Sequence, residues 1–242
     1  MPSRTQIDRA GRTLRDFQTG GALFDPAEIT AARDVVREYR GGHSYPLTKV
    51  SVSLRQFITT EERRAERRLL VEGPAQRLKR LNAITAKLVR QSTRLTQMED
   101  VAGCRAVLVD LDAVRRVASR IGLNWKIEGE DDYFANPKED GYRALHLRVR
   151  RDGYRIEIQL RTEIAHGWAE LIDALTLTLA PRYDVKHEVA PADLLSELKR
   201  LADTLAEIEN STAARRPEVL SEVRSLLDRI KRQTADAMER ER

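Results

Sequence analysis

Two stretches of this sequence, YRALHLRVR (142–150) and YRIEIQLRT (154–162), alternate polar and apolar residues on either side of Asp152-Gly153. That pattern is a hairpin signal. It places Leu145, Leu147, Val149, Ile156, Ile158 and Leu160 on one face and His146, Arg148, Glu157, Gln159 and Arg161 on the other. With a two-residue turn, Arg148 lies opposite Glu157 and His146 opposite Gln159. Such a face is either solvated or a site for phosphate and metal. It holds more groups of the second kind than solvation requires.

A second group of charges lies between Arg77 and Arg94. It contains Arg77, Lys79, Arg80, Lys87, Arg90 and Arg94 and no acidic residue. Read as a helix, the segment sets Leu78, Leu81, Ile84 and Leu88 on an apolar stripe. Five of its cations, Lys79 to Arg94, then fall within an arc of roughly 100° on the other side. A one-sign face is either a solvated surface or a field suited to a polyphosphate. Asp100 and Glu157 are the carboxylates placed to answer it. Brought together they would bind Mg²⁺ shared with substrate phosphates, and one of them could take a proton from an attacking hydroxyl. The plainer alternatives are that Asp100 caps a turn and that Glu157 pairs with Arg148. Between these groups runs the loop NPKEDGYR (136–143). There Gly141 permits close backbone approach, Tyr142 offers a flat face for a base, and Lys138, Arg143 and the following His146 offer donors to phosphates.

The elements that must position these groups follow from local signals. Asp25-Pro26 starts a helix that Gly41-Gly42 stops. SYPLTKVSVSLRQFI (44–58) suggests a second helix, and Gly73-Pro74 a break before a third helix over 75–91. GCRAVLVD (103–110) reads as a strand covered on both faces, DLDAVRRVASRIG (110–122) as a helix and NWKIEGE (124–130) as a strand. Ile164, Trp168, Leu171, Leu175 and Leu179 predict a helix packed on the sheet. Leu194, Leu198, Leu201, Leu205 and Ile208 form a coiled-coil-like seam. Leu220, Val223, Leu227 and Ile230 continue it, predicting a helical hairpin that packs on the domain or on another subunit.

At 242 residues, with 41% hydrophobic and 33% charged residues, the chain can bury a proper core. The net charge of +5 favours anionic partners. Cys104 is the one cysteine, which excludes a disulfide within the chain and a cysteine metal site. Its apolar surroundings predict a buried structural thiol. No apolar run reaches the length of a membrane span and the N-terminus lacks a signal-peptide core, so the expectation is a cytoplasmic protein without a membrane partner.

Taken together, four motifs over roughly residues 75–180 resemble the RelA/SpoT-type pyrophosphokinases, in particular the small, single-domain alarmone synthetases. RLKRLNAITAK (77–87) is similar to the family's ATP-site segment, and DVAGCR (100–105) to the Asp and Arg that follow it. DYFANPKEDGYRALH (132–146) resembles the acceptor-binding loop, and EIQLRT (157–162) the catalytic strand. The resemblance implies an α+β fold, a mixed β-sheet nucleotidyltransferase-like synthetase domain flanked by N- and C-terminal helices. Its expected limits are 75–182, after a helical region at 1–74 and before a helical hairpin at 183–242.

The resemblance also implies roles. Arg77 and Arg105 would sandwich the adenine of ATP, and Lys79 and Lys87 would hold its phosphates. Asp100 and Glu157 would bind Mg²⁺, with Glu157 also the base. Tyr142 would stack on the acceptor, and Lys138, Arg143, His146, Gln159 and Arg161 would complete the acceptor site. The β,γ-pyrophosphate would pass to a ribose 3′-hydroxyl. In most of the family the acceptor is GDP or GTP. In a toxin branch, which YRGGHSYPLTKV (39–50) resembles, it is the 3′ end of tRNA. Basic residues outside the pocket such as Arg63, Arg64, Arg67 and Arg68 would serve the second, and an antitoxin partner or a homo-oligomer through the C-terminal helices would fit the family. A non-catalytic RNA-binding module is a third reading, which intact Asp100 and Glu157 oppose. The chain departs from the pattern at Ala83, where the family has serine, and at Glu139 and Asp140 in the loop. None of its four histidines forms a His-Asp pair, so the resemblance does not extend to a hydrolase domain.

Overall fold

A computed structural model describes residues 2–20, 24–179 and 192–210. Seven α-helices are assigned there: α1 Arg4–Gln18, α2 Pro26–Gly42, α3 Ser44–Ala65, α4 Leu81–Gln91, α5 Leu111–Asn124, α6 Glu163–Leu179 and α7 Ala192–Asn210. The strands are β1 Leu70–Leu78, β2 Ala102–Leu108, β3 Ile127–Asp132, β4 Leu145–Arg151 and β5 Tyr154–Thr162. They form one mixed five-stranded sheet in the order β1-β2-β5-β4-β3, so β5 is the central strand. This is the α+β arrangement with flanking helices that the sequence predicted.

The chain divides into two compact units. The first comprises residues 1–106, 116–130 and 146–159, and the second residues 107–115, 131–145 and 160–242. In the first unit, Ser3 and Gln6 close a capping box at the start of α1. Asp25 caps α2 by accepting from the Ala27 amide at 2.9 Å. Ile7, Leu14, Ile29, Val36, Ile84, Leu88, Leu95, Met98 and Val101 then share one core. Asp8 clamps the adjoining turn by accepting from both the amide and the hydroxyl of Thr96, at 2.9 and 2.8 Å. The helices at the N-terminus thus fix the segment that leads to Asp100.

The third helix expected over 75–91 is only half helix. Its first part is strand β1, which runs through the break expected at Gly73-Pro74. Leu81, Ile84 and Leu88 keep their helical stripe on α4, but Leu78 belongs to the strand. Short apolar runs do not distinguish the two periods, and an edge strand tolerates proline. Gly73 sits at φ +94°, and a Cβ there would lie 2.6 Å from the carbonyl oxygen of Arg105 on β2. Pairing with β2 decides the conformation.

The hairpin forms as predicted. Asp152 and Gly153 have φ of 50° and 85°, the positive pair that a tight turn matched to strand twist requires. Cys104 is buried, and burial pushes its thiol up to about 12, which makes it a structural cysteine.

In the second unit, Trp168 and Ile172 of α6 are buried with Leu194, Leu198, Leu201 and Ala202 of α7. The predicted seam therefore exists, and it closes within the chain. The apolar side of α6, expected to face the sheet, clusters with α7. The rest of the expected hairpin, Leu220 to Ile230, lies outside the described residues, and so does any subunit contact it makes. No helix among the described residues is long and apolar enough to cross a membrane.

Candidate active site

The first unit holds the basic and acidic groups together. Asp100 lies between the turn that Asp8 clamps and strand β2. Its Oδ2 accepts from Lys79 Nζ and Lys87 Nζ, each at 2.8 Å. Burial pushes the Asp100 carboxyl up, but the hydrogen bonds from the two ammonium groups outweigh this and hold it below its ordinary value. Among the described residues no turn amide donates to Asp100. The cluster carries two positive charges on one negative, so an excess cation faces whatever binds. The other oxygen, Oδ1, is buried with no hydrogen-bond partner among the described residues.

Lys79 is set by its backbone. Its amide donates to the Val101 carbonyl at 2.9 Å, and its own carbonyl accepts from Arg40 Nε at 2.7 Å. Arg40 comes from α2, and nothing in its local sequence marks it. Arg77 and Arg105 occupy neighbouring strands β1 and β2; Arg77 is exposed. Arg105 faces Glu72 at 3.7 Å, and its Nε is buried without a hydrogen-bond partner among the described residues.

Glu157 sits in the middle of β5 with a side chain only 13% exposed. His146 Nδ1 lies 3.0 Å from its Oε1, and Gln159 Nε2 donates to Oε2 at 2.6 Å. Burial pushes this carboxyl up, His146 and Gln159 pull it down, and the net position is below the ordinary value. Asp100 raises it slightly through like charge. The pairing differs from the sequence expectation. Arg148 is directed to Glu99 Oε2 at 3.2 Å, and Glu157 is taken by the diagonal His146. The polar face of the hairpin is also not solvated, since His146 and Arg161 are buried and Arg148, Glu157 and Gln159 are half-buried. Gly103 completes the surroundings. A Cβ there would lie 2.9 Å from the Glu157 carbonyl oxygen, so β2 can pass this close only because the residue is glycine.

No group of three or more His, Cys, Asp or Glu suited to a metal occurs among the described residues. The donors nevertheless fit Mg²⁺. That ion takes one or two carboxylates and completes its shell with water and phosphate oxygens. Among the described residues Asp100 Oδ1 is a buried acceptor without a donor, and Glu157 is a second carboxylate held ionised.

The second unit holds the loop. Asp132 Oδ1 accepts from the amides of Phe134 and Ala135, at 3.0 and 3.2 Å. The Lys138 amide donates to the Tyr142 carbonyl, and the Gly141 amide to the Lys138 carbonyl. Asp140 Oδ1 accepts from the Tyr142 amide at 3.0 Å, which gives the acidic departure at Asp140 a structural reason. Lys138 Nζ lies 4.6 Å from the Tyr133 ring centroid and 5.0 Å from that of Tyr142. Arg161 lies 5.0 Å from the Tyr142 ring centroid and donates to its hydroxyl at 3.0 Å. The structure thus brings Lys138, Tyr142 and Arg161 together, with Tyr133 as a fourth member that the sequence reading does not include. Arg143 is turned elsewhere. Its guanidinium donates to the Ala202 carbonyl of α7 at 2.8 Å and faces Asp203 at 3.7 Å. Gln159 likewise serves Glu157.

Residues 76–176 match the model described as the region found in RelA / SpoT proteins. Over that stretch the chain is similar to RelA/SpoT proteins. It is 28% identical over 149 residues to the GTP pyrophosphokinase YwaC of Bacillus subtilis, covering 55% of this chain and 68% of that protein. Against the bifunctional (p)ppGpp synthase/hydrolase SpoT of Escherichia coli it is 27% identical over 153 residues, 62% of this chain and 21% of that protein. The chain therefore spans about two thirds of YwaC and a fifth of SpoT. Among solved structures, the small alarmone synthetase 1 of Bacillus subtilis bound to its product pppGpp superimposes with a TM-score of 0.62 at 22% identity. That match covers 76% of this chain and 99% of that one. A GTP pyrophosphokinase family protein from Streptococcus pneumoniae gives 0.60 at 21% identity, covering 82% and 96%. The chain shares the fold of these two proteins.

Proposed function

We propose that this RelA/SpoT-type protein transfers the β,γ-pyrophosphate of ATP to the ribose 3′-hydroxyl of GDP or GTP, releasing AMP. One observation carries the reading. A half-buried carboxylate, Asp100, is shared by Lys79 and Lys87, and among the described residues its second oxygen has no hydrogen-bond partner. This arrangement suits a metal–polyphosphate complex. The two ammonium groups can exchange Asp100 for phosphate oxygens, which would leave Asp100 available to hold a cation. Mg²⁺ held by Asp100 and Glu157 would neutralise charge on the phosphates.

In this reading Arg77 and Arg105 take the adenine, and Tyr142, Lys138 and Arg161 take the acceptor nucleotide. The 3′-oxygen attacks the β-phosphorus, forming a new P–O bond. The bond from that phosphorus to the α,β-bridging oxygen breaks, and the electron pair leaves with AMP. Glu157, ionised and oriented by His146 and Gln159, accepts the hydroxyl proton. Catalysis is then positioning and charge placement, as phosphoryl transfer demands.

The same chemistry on a tRNA 3′ end is the other acceptor class. It would draw on Arg63, Arg64, Arg67 and Arg68, of which Arg64 faces Glu61 and Arg68 donates to the Leu70 carbonyl. These engagements and the relative named as a GTP pyrophosphokinase favour the free nucleotide. The test is incubation with ATP labelled at the γ-phosphate plus GDP, GTP or bulk tRNA. Label in a guanine nucleotide supports the proposal; label in tRNA alone overturns the choice of acceptor.

A further inference from the structure

The loop 137–143 does not stand by itself. Gly141 has φ +75°, and a Cβ there would lie 2.3 Å from the Ala202 Cβ and 3.3 Å from the Trp168 ring. Both the backbone angle and the space therefore require glycine. Ala202 is a small residue next to Leu201 on α7 and is 1% exposed. Its size lets the loop come close enough for Arg143 to reach its carbonyl at 2.8 Å, 59 residues away in the chain. From α6, Trp168 Nε1 donates to the Asp140 carbonyl at 3.0 Å. At the far end of α7, Glu209 bonds the hydroxyl of Thr162, the residue after Arg161 on β5. The helix is thus fastened both to the loop that carries Lys138 and Tyr142 and to the strand end that carries Arg161. Those three side chains form the ring-and-cation cluster at Tyr142.

We infer that α7 is a positioning strut for the acceptor loop: Gly141 and Arg143 dock on Ala202, and this contact holds Lys138 and Tyr142 in the conformation that takes the acceptor nucleotide. The inference rests on the proposed function and assigns α7, which carries none of the expected site residues, a part in acceptor affinity. It also moves Arg143 from acceptor contact to loop anchoring. A strut of this kind acts on one substrate. Loosening it costs acceptor binding and leaves the ATP groups of the first unit unaffected.

The test uses the full chain with Ala202→Leu, which fills the space Gly141 needs, Ala202→Gly as the conservative control, and Arg143→Ala. Each substrate is varied in turn, and amide hydrogen exchange is followed over residues 138–143. Ala202→Leu and Arg143→Ala should raise the acceptor KM about tenfold, a loss of about 1.4 kcal/mol. The ATP KM should stay within about twofold, exchange in the loop should speed up, and Ala202→Gly should restore near-normal values. Should Ala202→Leu not fold, Trp168→Phe keeps an aromatic ring, removes the donor to Asp140, and should shift the same two readouts. The strut is overturned if loop exchange is unchanged in the folded variants, or if both KM values rise together. It is also overturned if Arg143→Ala alone weakens the acceptor while Ala202→Leu behaves as wild type, since Arg143 then contacts substrate directly. If the wild-type protein transfers nothing to any acceptor, the proposed function fails, and loop exchange alone decides whether α7 holds the loop.

Discussion

The Nδ1 atom of His146 stands 3.0 Å from Oε1 of Glu157, on adjacent strands of the hairpin. With Gln159 on the second oxygen, both lone-pair sets of this carboxylate are oriented before any substrate arrives. Replacing Glu157 with Gln keeps the shape and removes the base and a metal charge. Turnover should drop by about a hundredfold or more, while nucleotide binding measured by calorimetry persists. Turnover near the wild-type rate would remove Glu157 from the chemistry.

The carboxyl of Asp100 is held below its ordinary value, and the sign of its stability contribution follows. Burial opposes ionisation, but the hydrogen bonds from Lys79 and Lys87 outweigh it. A depressed folded value stabilises the fold above the unfolded value and loses that contribution as pH falls through the folded one. Asp100→Asn should therefore unfold at lower urea than wild type at pH 7, and the gap should close below about pH 4. A gap of constant size down to pH 3 would mean that Asp100 contributes through shape alone.

Glu209 behaves oppositely. Burial raises its carboxyl, and the Thr162 hydroxyl and the charge of Arg143 offset this only in part. A raised folded value favours the neutral form, so ionisation costs stability as pH rises above the unfolded value. Glu209→Gln should have a higher Tm than wild type at pH 8, with the difference gone by about pH 4. A lower Tm for Glu209→Gln at pH 8 would contradict this.

Arg40 reaches Lys79 through its backbone carbonyl. Arg40→Met keeps much of the stem and removes the fork. The KM for ATP should rise several-fold, about 1 kcal/mol for one charge-assisted hydrogen bond, with the acceptor KM unchanged. Equal effects on both substrates would show a general loss of fold.

What could be read from the sequence were features with local causes. The hairpin register follows from alternation and an Asp-Gly turn, and the α7 seam from leucine spacing. Asp100 and Glu157 stood out because acidic residues are scarce beside a long basic run. The pairing of side chains was not legible in the same way. Register placed Arg148 opposite Glu157, but Glu99, on a separate segment, captures Arg148 and leaves Glu157 to His146. The end of strand β1, residues 75–78, reads as helix in the sequence because an edge strand is specified by its neighbour β2, and Gly73 and Pro74 read as a break when considered alone. Arg143 looked like a phosphate donor because nothing within the loop reveals a carbonyl 59 residues away.

The most direct measurement of the proposed reaction is the stoichiometry of its products. With ATP, Mg²⁺ and GDP, AMP should form one-for-one with a guanosine bearing pyrophosphate at the 3′ position. No ADP should form, and Glu157→Gln should slow both products equally. Release of ADP, or consumption of ATP without a pyrophosphorylated acceptor, would contradict the assignment of Asp100, Lys79, Lys87 and Glu157 to pyrophosphoryl transfer.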